Sequence, residues 1–245
     1  PLDVMLVASA NPEDYTNRGR IITPLKDRFG AEIRTHYPLE LDAEVAVIDQ
    51  EAELQATVPT YLLEVLARFT RLLRESPSVD QRSGVSARFA IAAAETIAAA
   101  AVHRAAILGE AEPVARPVDL GTIIEVLRGK VEFESGEEGR EIEVLEHMLR
   151  RATADTVRAH LGGINLAALV TAIETGEPIV TGDRITAKAL LDELPDVEVI
   201  GDIHERLNAT SDGEKAAAVE LALEGLYLAR RISKDPDDDG QTVYS

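Results

Sequence analysis

The sequence predicts a mostly α-helical protein that opens on a short strand–helix–strand unit. Three observations lead there. From Leu41 onward, apolar residues recur at helical spacing in one segment after another. One of these segments, residues 83–108, is rich in alanine, which favours helix and permits close packing against neighbours. Ahead of them, "DVMLVASA" is a short apolar run stopped by Asn11-Pro12, and "AEIRTHYP" alternates and ends at Pro38, so both read as strands.

Between those strands, "GRIITPLKDRFG" offers Thr23 as a cap, Pro24 at a first helical position and Gly30 as a stop, the marks of a short helix. Strand, helix and strand in so few residues imply a parallel crossover at the edge of an α/β sheet. Two strands alone do not make a stable sheet. The other strands are therefore expected from outside this sequence, or else the region folds poorly by itself.

The helical series begins with "LDAEVAVIDQEAEL", "TYLLEVLARFTRLLRE" and the alanine-rich "SGVSARFAIAAAETIAAAAVHRAAIL", followed by "DLGTIIEVLRG". The charged, glycine-containing "FESGEEGRE" reads as a domain boundary. Beyond it, "REIEVLEHMLRRATADTVRAHL" is a long amphipathic helix closed by Gly162-Gly163. "INLAALVTAIETG" and "TAKALLDELPD" are shorter helices around the loop "EPIVTGD", and "GEKAAAVELALEGLYLARRI" is the last helix. "SKDPDDDGQTVYS" reads as a polar tail. The expected organisation is a strand-bearing unit over 1–40, a helical unit over 41–130, a second over 131–233, and the tail over 234–245.

Composition narrows the chemistry. A formal charge of −19 argues against a broad nucleic-acid surface, because duplex binding relies on Lys and Arg to neutralise phosphates. Aromatic residues are only 4% of the chain, too few to suggest a stacking platform for single strands. The chain has no cysteine, which removes disulfides, thiolate metal sites and a cysteine nucleophile and is compatible with a cytoplasmic setting. The five histidines show no H-E-x-x-H spacing, and no metal site is expected. No apolar run approaches the roughly 20 residues that span a bilayer. The first residue is Pro1 with no signal segment after it, so the chain reads as a soluble piece of a longer polypeptide. Between positions 18 and 34 the basic residues Arg18, Arg20, Lys26, Arg28 and Arg34 face only Asp27 and Glu32. This positive island suggests a confined anion, or ordinary pairing with the acidic remainder.

Three residues stand out as candidates. Asn11 falls just past a strand end, where open α/β sheets bind ligands, and its amide can donate and accept at once. The alternative is a turn-forming Asn-Pro. Arg28 precedes the helix stop at Gly30, and its planar, permanently charged fork suits a phosphoryl group; a salt bridge to Asp27 or Glu32 is the alternative. Arg88 lies in the first turn of the alanine-rich helix if Ser86 or Ser83 caps it. There a cation is disfavoured by up to about 1 kcal/mol, a cost that a nearby anion offsets. Arg82 shares that neighbourhood.

Taken in order, the strand with "SANPED", then "LKDRFG", a second strand, and helices carrying "SGVSAR" resemble the second half of an AAA+ ATPase module. The resemblance is to the magnesium chelatase ATPase subunit and the related MoxR group, and it covers about residues 1–130. It implies that Asn11 is sensor 1, positioning the attacking water. It implies that Arg28 is the arginine finger, reaching a neighbouring protomer's γ-phosphate, and that Arg88 is sensor 2 on the lid helix. Residues 1–40 would then be the distal edge of the AAA+ α/β core and 41–130 its helical lid, followed by an additional C-terminal helical domain. ATP and Mg²⁺ are the implied cofactors of the full-length protein, a homo-oligomeric ring its implied assembly, and a von Willebrand A domain protein a partner.

The departures are as specific. No G-x-x-x-x-G-K-[ST] phosphate loop and no strand ending in paired acids occurs; in the family both precede sensor 1. "SDGEKAAA" only mimics the end of such a loop. The 245 residues are thus expected to hold sensing and trans-acting residues without hydrolysing ATP themselves. The rival reading is a non-catalytic helical scaffold that binds partners.

Overall fold

A computed structural model describes residues 3–9, 28–237 and 239–245. Among them, nine α-helices follow in order: α1 (Leu41–Glu51), α2 (Thr60–Glu75), α3 (Ala87–Leu108), α4 (Thr122–Leu127), α5 (Glu141–Leu161), α6 (Ala167–Thr175), α7 (Ala187–Asp192), α8 (Glu198–Arg206) and α9 (Asp212–Leu228). Short 3-10 turns at Pro117–Gly121 and Arg128–Lys130 flank α4. The mostly helical expectation is met.

Apolar spacing decides what each helix buries. Along α2, Leu62, Val65, Leu66, Phe69 and Leu73 point inward, and Phe69 tilts against Phe89 of α3 at 5.6 Å between ring centres. On α3 the inward residues are largely alanines (Ala90, Ala93, Ala94, Ala101), so neighbouring backbones approach closely. Gly109 ends this helix in the left-handed region, φ 71°, which an L side chain resists. By length and composition, α3 is the one helix among the described residues that could cross a bilayer. In this fold it lines the core, and its Arg104 is buried in ion pairs.

Two apolar clusters form. The first gathers α1 to α5 and borrows Ala217 and Leu221 from α9. The second gathers Leu161, α6 to α9, Ile179 and Tyr244. Val157 and Leu207 pack against both. Helix α9 runs between them, with every residue from Ala216 to Leu223 buried, Glu220 included. Its start is specified by a capping box: Ser211 Oγ accepts from the Glu214 amide while the Glu214 carboxylate accepts from the Ser211 amide at 2.9 Å. The phosphate-loop mimic "SDGEKAAA" is therefore a helix start that follows α8 rather than a strand. Gly213 lies there so close to Val114 that a Cβ would meet Cγ2 at 2.5 Å.

Where the structure departs from expectation, pairing explains it. Neither 3–9 nor 31–38 forms a strand; Val4, Met5, Leu6, Val7 and Ile33 stand exposed. A strand needs a neighbour to satisfy its N–H and C=O groups, and the described residues bring none alongside these two segments. The helix expected around "TPLKD" falls outside the described residues, which resume at a turn over 28–30. At the other end, residues 234–237 and 239–245 contribute a hairpin rather than a tail. Strands β2 (Lys234–Pro236) and β3 (Thr242–Tyr244) pair antiparallel, and β3 also pairs with β1 (Ile179–Thr181), in the order β1-β3-β2. The hairpin closes through Asp237, whose carboxylate accepts from the Gln241 amide at 2.7 Å. Helix α8 was not signalled by the sequence: it is short and carries Gly201, a poor helix former, in its middle.

Two measurements probe this packing. A Cβ at Gly225 of α9 would meet Val157 Cγ1 of α5 at 2.4 Å. Gly225→Ala should therefore cost about 1–3 kcal/mol in chemical denaturation, and adding Val157→Ala should recover part of it. The Glu214 carboxyl is pulled down to about 2, first by hydrogen bonds from the Ser211 backbone and then by the Thr210 hydroxyl. A depressed folded-state pKa stabilises above the unfolded value and is lost as pH falls through the folded one. Glu214→Gln should thus lower the melting temperature at pH 7, with the gap to wild type closing as pH falls from the ordinary carboxylate range toward 2.

Candidate functional site

The connection from α2 to α3 carries the best-defined of the predicted site residues. It leaves α2 at Ser76 and runs beside residues 132–134: the Asp80 amide donates to the Glu132 carbonyl at 2.9 Å, and the Glu134 amide to the Ser78 carbonyl at 3.0 Å. The side chains of Ser83 and Glu132 are also hydrogen-bonded. Gly84 adopts φ 64°, and a Cβ there would stand 3.0 Å from the Tyr37 hydroxyl, so the turn requires glycine twice over.

Arg74, near the end of α2, anchors this connection. Its Nη1 and Nη2 grip both oxygens of Glu44 on α1 at 2.7 and 2.8 Å, and its Nε donates to the Val85 carbonyl at 2.7 Å. The guanidinium also lies over the Tyr37 ring, 3.9 Å from the centroid. Arg71 holds the same entering segment through the Leu39 carbonyl at 2.8 Å. One arginine thus ties α1, α2, the segment before α1 and the loop leading into α3. The pairing is bidentate and Glu44 is almost fully buried, a geometry suited to rigid positioning. No sequence signal singled out Arg74 or Glu44, because ion-pair partners 30 residues apart leave no local pattern.

On this platform Ser86 takes the N-cap position of α3, although its side chain makes no capping bond. Arg88 falls in the first turn and is exposed, with no acidic residue in that turn. No hydrogen bond or ion pair engages it among the described residues. Arg82 differs: its Nε and Nη2 bind the Asp80 carboxylate, each at 3.2 Å, and its amide donates there too at 2.8 Å. Those Arg82 hydrogen bonds, side chain first, hold the Asp80 carboxyl below its ordinary value. Arg82 is occupied; Arg88 is not.

Of the other two predicted residues, only Arg28 is among the described ones. Arg28 is exposed in the turn over 28–30 and makes no ion pair among the described residues. Asn11 lies outside the described residues. No group of three or more His, Asp or Glu among the described residues could hold a metal ion. His147 is exposed on α5, and His160 on the same helix bonds Glu64 at 3.0 Å, a packing role.

If Arg74–Glu44 positions the loop, breaking it should be costly. Glu44→Ala leaves a buried guanidinium unpaired and should destabilise the chain by about 3–5 kcal/mol. Amide exchange over residues 78–86 should accelerate more than exchange in α9, measured by mass spectrometry. Compared with protein-family models, curated proteins and solved structures, the chain matches none.

Proposed function

We propose that this chain is the distal part of an AAA+ ATPase of the magnesium chelatase and MoxR type, acting in its full-length form as a ring that remodels a partner complex. The observation that carries the reading is Arg88: an exposed, unpaired cation in the first turn of α3, where the helix dipole disfavours positive charge. An anionic ligand resolves that conflict, and in the order of motifs Arg88 occupies the sensor 2 position. The engagement of Arg82 with Asp80 favours Arg88 over its neighbour.

In this reading α1 to α4 are the lid, and the exposed apolar residues at 4–7 and Ile33 are edge positions of a sheet whose other strands lie elsewhere in the assembly. The chemistry is transfer of a nucleotide γ-phosphoryl group to water. Asn11 orients the water, Arg28 stabilises charge in the adjacent subunit's site, and Arg88 couples the phosphates to the lid. Rings of this kind close through head-to-tail interfaces. The phosphate cradle and the magnesium-holding acids are not among these residues, so the 245-residue chain does not hydrolyse ATP by itself. A von Willebrand A domain protein is a partner to test.

The coding sequence ahead of Pro1 is the first test: a phosphate loop followed by an acidic strand supports the proposal, and a start codon with neither overturns it in favour of a helical scaffold. In the polypeptide that carries both motifs, Arg28→Ala should leave nucleotide affinity nearly unchanged and lower hydrolysis by about a thousandfold or more. Arg88→Ala should weaken affinity by about tenfold or more, as loss of a charge-assisted bond does. The same loss from Arg82→Ala alone would reassign sensor 2.

A further inference from the structure

A groove of about 550 Å³ opens where α4, α5, α9 and the three-stranded sheet meet, away from Arg88. Its lining mixes apolar and polar side chains, with Leu149, Tyr227 and Tyr244 among the former. Five carboxylates line it against two cations, Arg150 and Lys234. Both cations are already engaged: Arg150 Nη1 meets Glu146 at 3.4 Å, and Lys234 Nζ meets Glu224 at 2.5 Å. The groove is therefore acidic beyond its own pairing.

One of those carboxylates is singular. Glu220 is 2% exposed, and its Oε1 takes the Nε and Nη2 of Arg116. Its Oε2 has no hydrogen-bond partner among the described residues. A buried carboxylate oxygen without a donor is costly, and water or a ligand donor relieves it. The Tyr244 hydroxyl does not serve, because it donates to Glu224 at 2.8 Å. Burial, then the charges of Glu224 and Glu220, raise the Tyr244 pKa and keep that phenol protonated. What the groove offers is an unpaired carboxylate oxygen, an excess of negative charge, and aromatic rings.

From this we infer that the groove binds a small organic cation, an aliphatic ammonium whose head donates to Glu220 Oε2 and whose alkyl body lies against Leu149 and Tyr227. The chemistry is specific in three ways. An ammonium donates where Oε2 lacks a donor. Its charge is attracted by the excess carboxylates and by the ring faces, as Lys234 already is at 5.4 Å from the Tyr227 centroid. The alkyl body removes apolar surface from water. The volume suits a small molecule.

The test uses the 245-residue chain with n-pentylamine as the probe and pentanol and pentanoate as controls of the same length. Pentylamine should raise the melting temperature in proportion to its concentration and shift amide resonances of α9 and β3, and neither control should do so. Glu220→Gln should abolish both effects. Because that substitution also weakens the Arg116 pair, Tyr227→Ala serves as the second variant; it should fold and weaken the apparent Kd by about tenfold. An equal response to pentanol, no response to pentylamine, or a pentylamine response unchanged in Tyr227→Ala would overturn the assignment. None of these outcomes bears on nucleotide binding at Arg88.

Discussion

The fold turns on a buried ionic network at the junction of its two apolar clusters. Arg116, wholly buried, meets Glu220 of α9 through Nε and Nη2 and donates from Nη1 to the Ile185 carbonyl at 2.7 Å. Its amide donates to Asp119, which also accepts two bonds from Arg104 of α3. Arg104 continues to Glu110 at 3.2 Å, and Glu110 accepts from the Ala187 amide at the start of α7 at 2.6 Å. Burial alone would pull the Arg116 pKa down; the charge of Glu220 and the bond to it outweigh that and raise it. Such a network is poor evidence of net stability, since desolvation offsets much of the attraction. Its effect is geometric. Any other register of α9 against α3 would strand charges in the core.

That constraint explains why helices α1 to α4 and the C-terminal helices share surfaces. Helix α5 packs against α2 and α9 together, and Val157 contributes to both clusters. The Arg74–Glu44 pair does for the α2–α3 connection what Arg116 does for the junction. In each case a planar guanidinium collects a carboxylate and a backbone carbonyl from different elements. Arg88 is exposed in the first turn of α3, just past a loop that is itself held from beneath, so its lack of a partner among the described residues belongs to the side chain rather than to a loose backbone.

Helices were legible wherever a single apolar stripe had to face one core. The boundaries of α2 match the periodic segment residue for residue, and α3 begins at the cap suggested by Ser86. Legibility failed where pairing depends on distant residues. "EPIVTGD" and "SKDPDDDGQTVYS" contain β1, β2 and β3, yet each strand is three residues long, and Tyr244 is buried by distant residues, between Ile179 and Lys234 and against the second cluster. The opposite failure occurs at the front, where "DVMLVAS" and "AEIRTHYP" have strand patterns but no strand partner among the described residues. Of the candidate residues, Arg88 was legible through its position after Ser86; Arg74, Glu44 and Glu220 were not, being three charges among many.

The amino-acid sequence by itself determined the helical class, the run of most of the helices and the place of Arg88 near a helix start, because these follow from spacing and capping within a few residues. Only the tertiary structure decided which charges are buried, that Arg82 is engaged while Arg88 is not, and that the C-terminal residues close a sheet. Each of those outcomes depends on contacts between residues far apart in the chain, and local spacing carries no record of them.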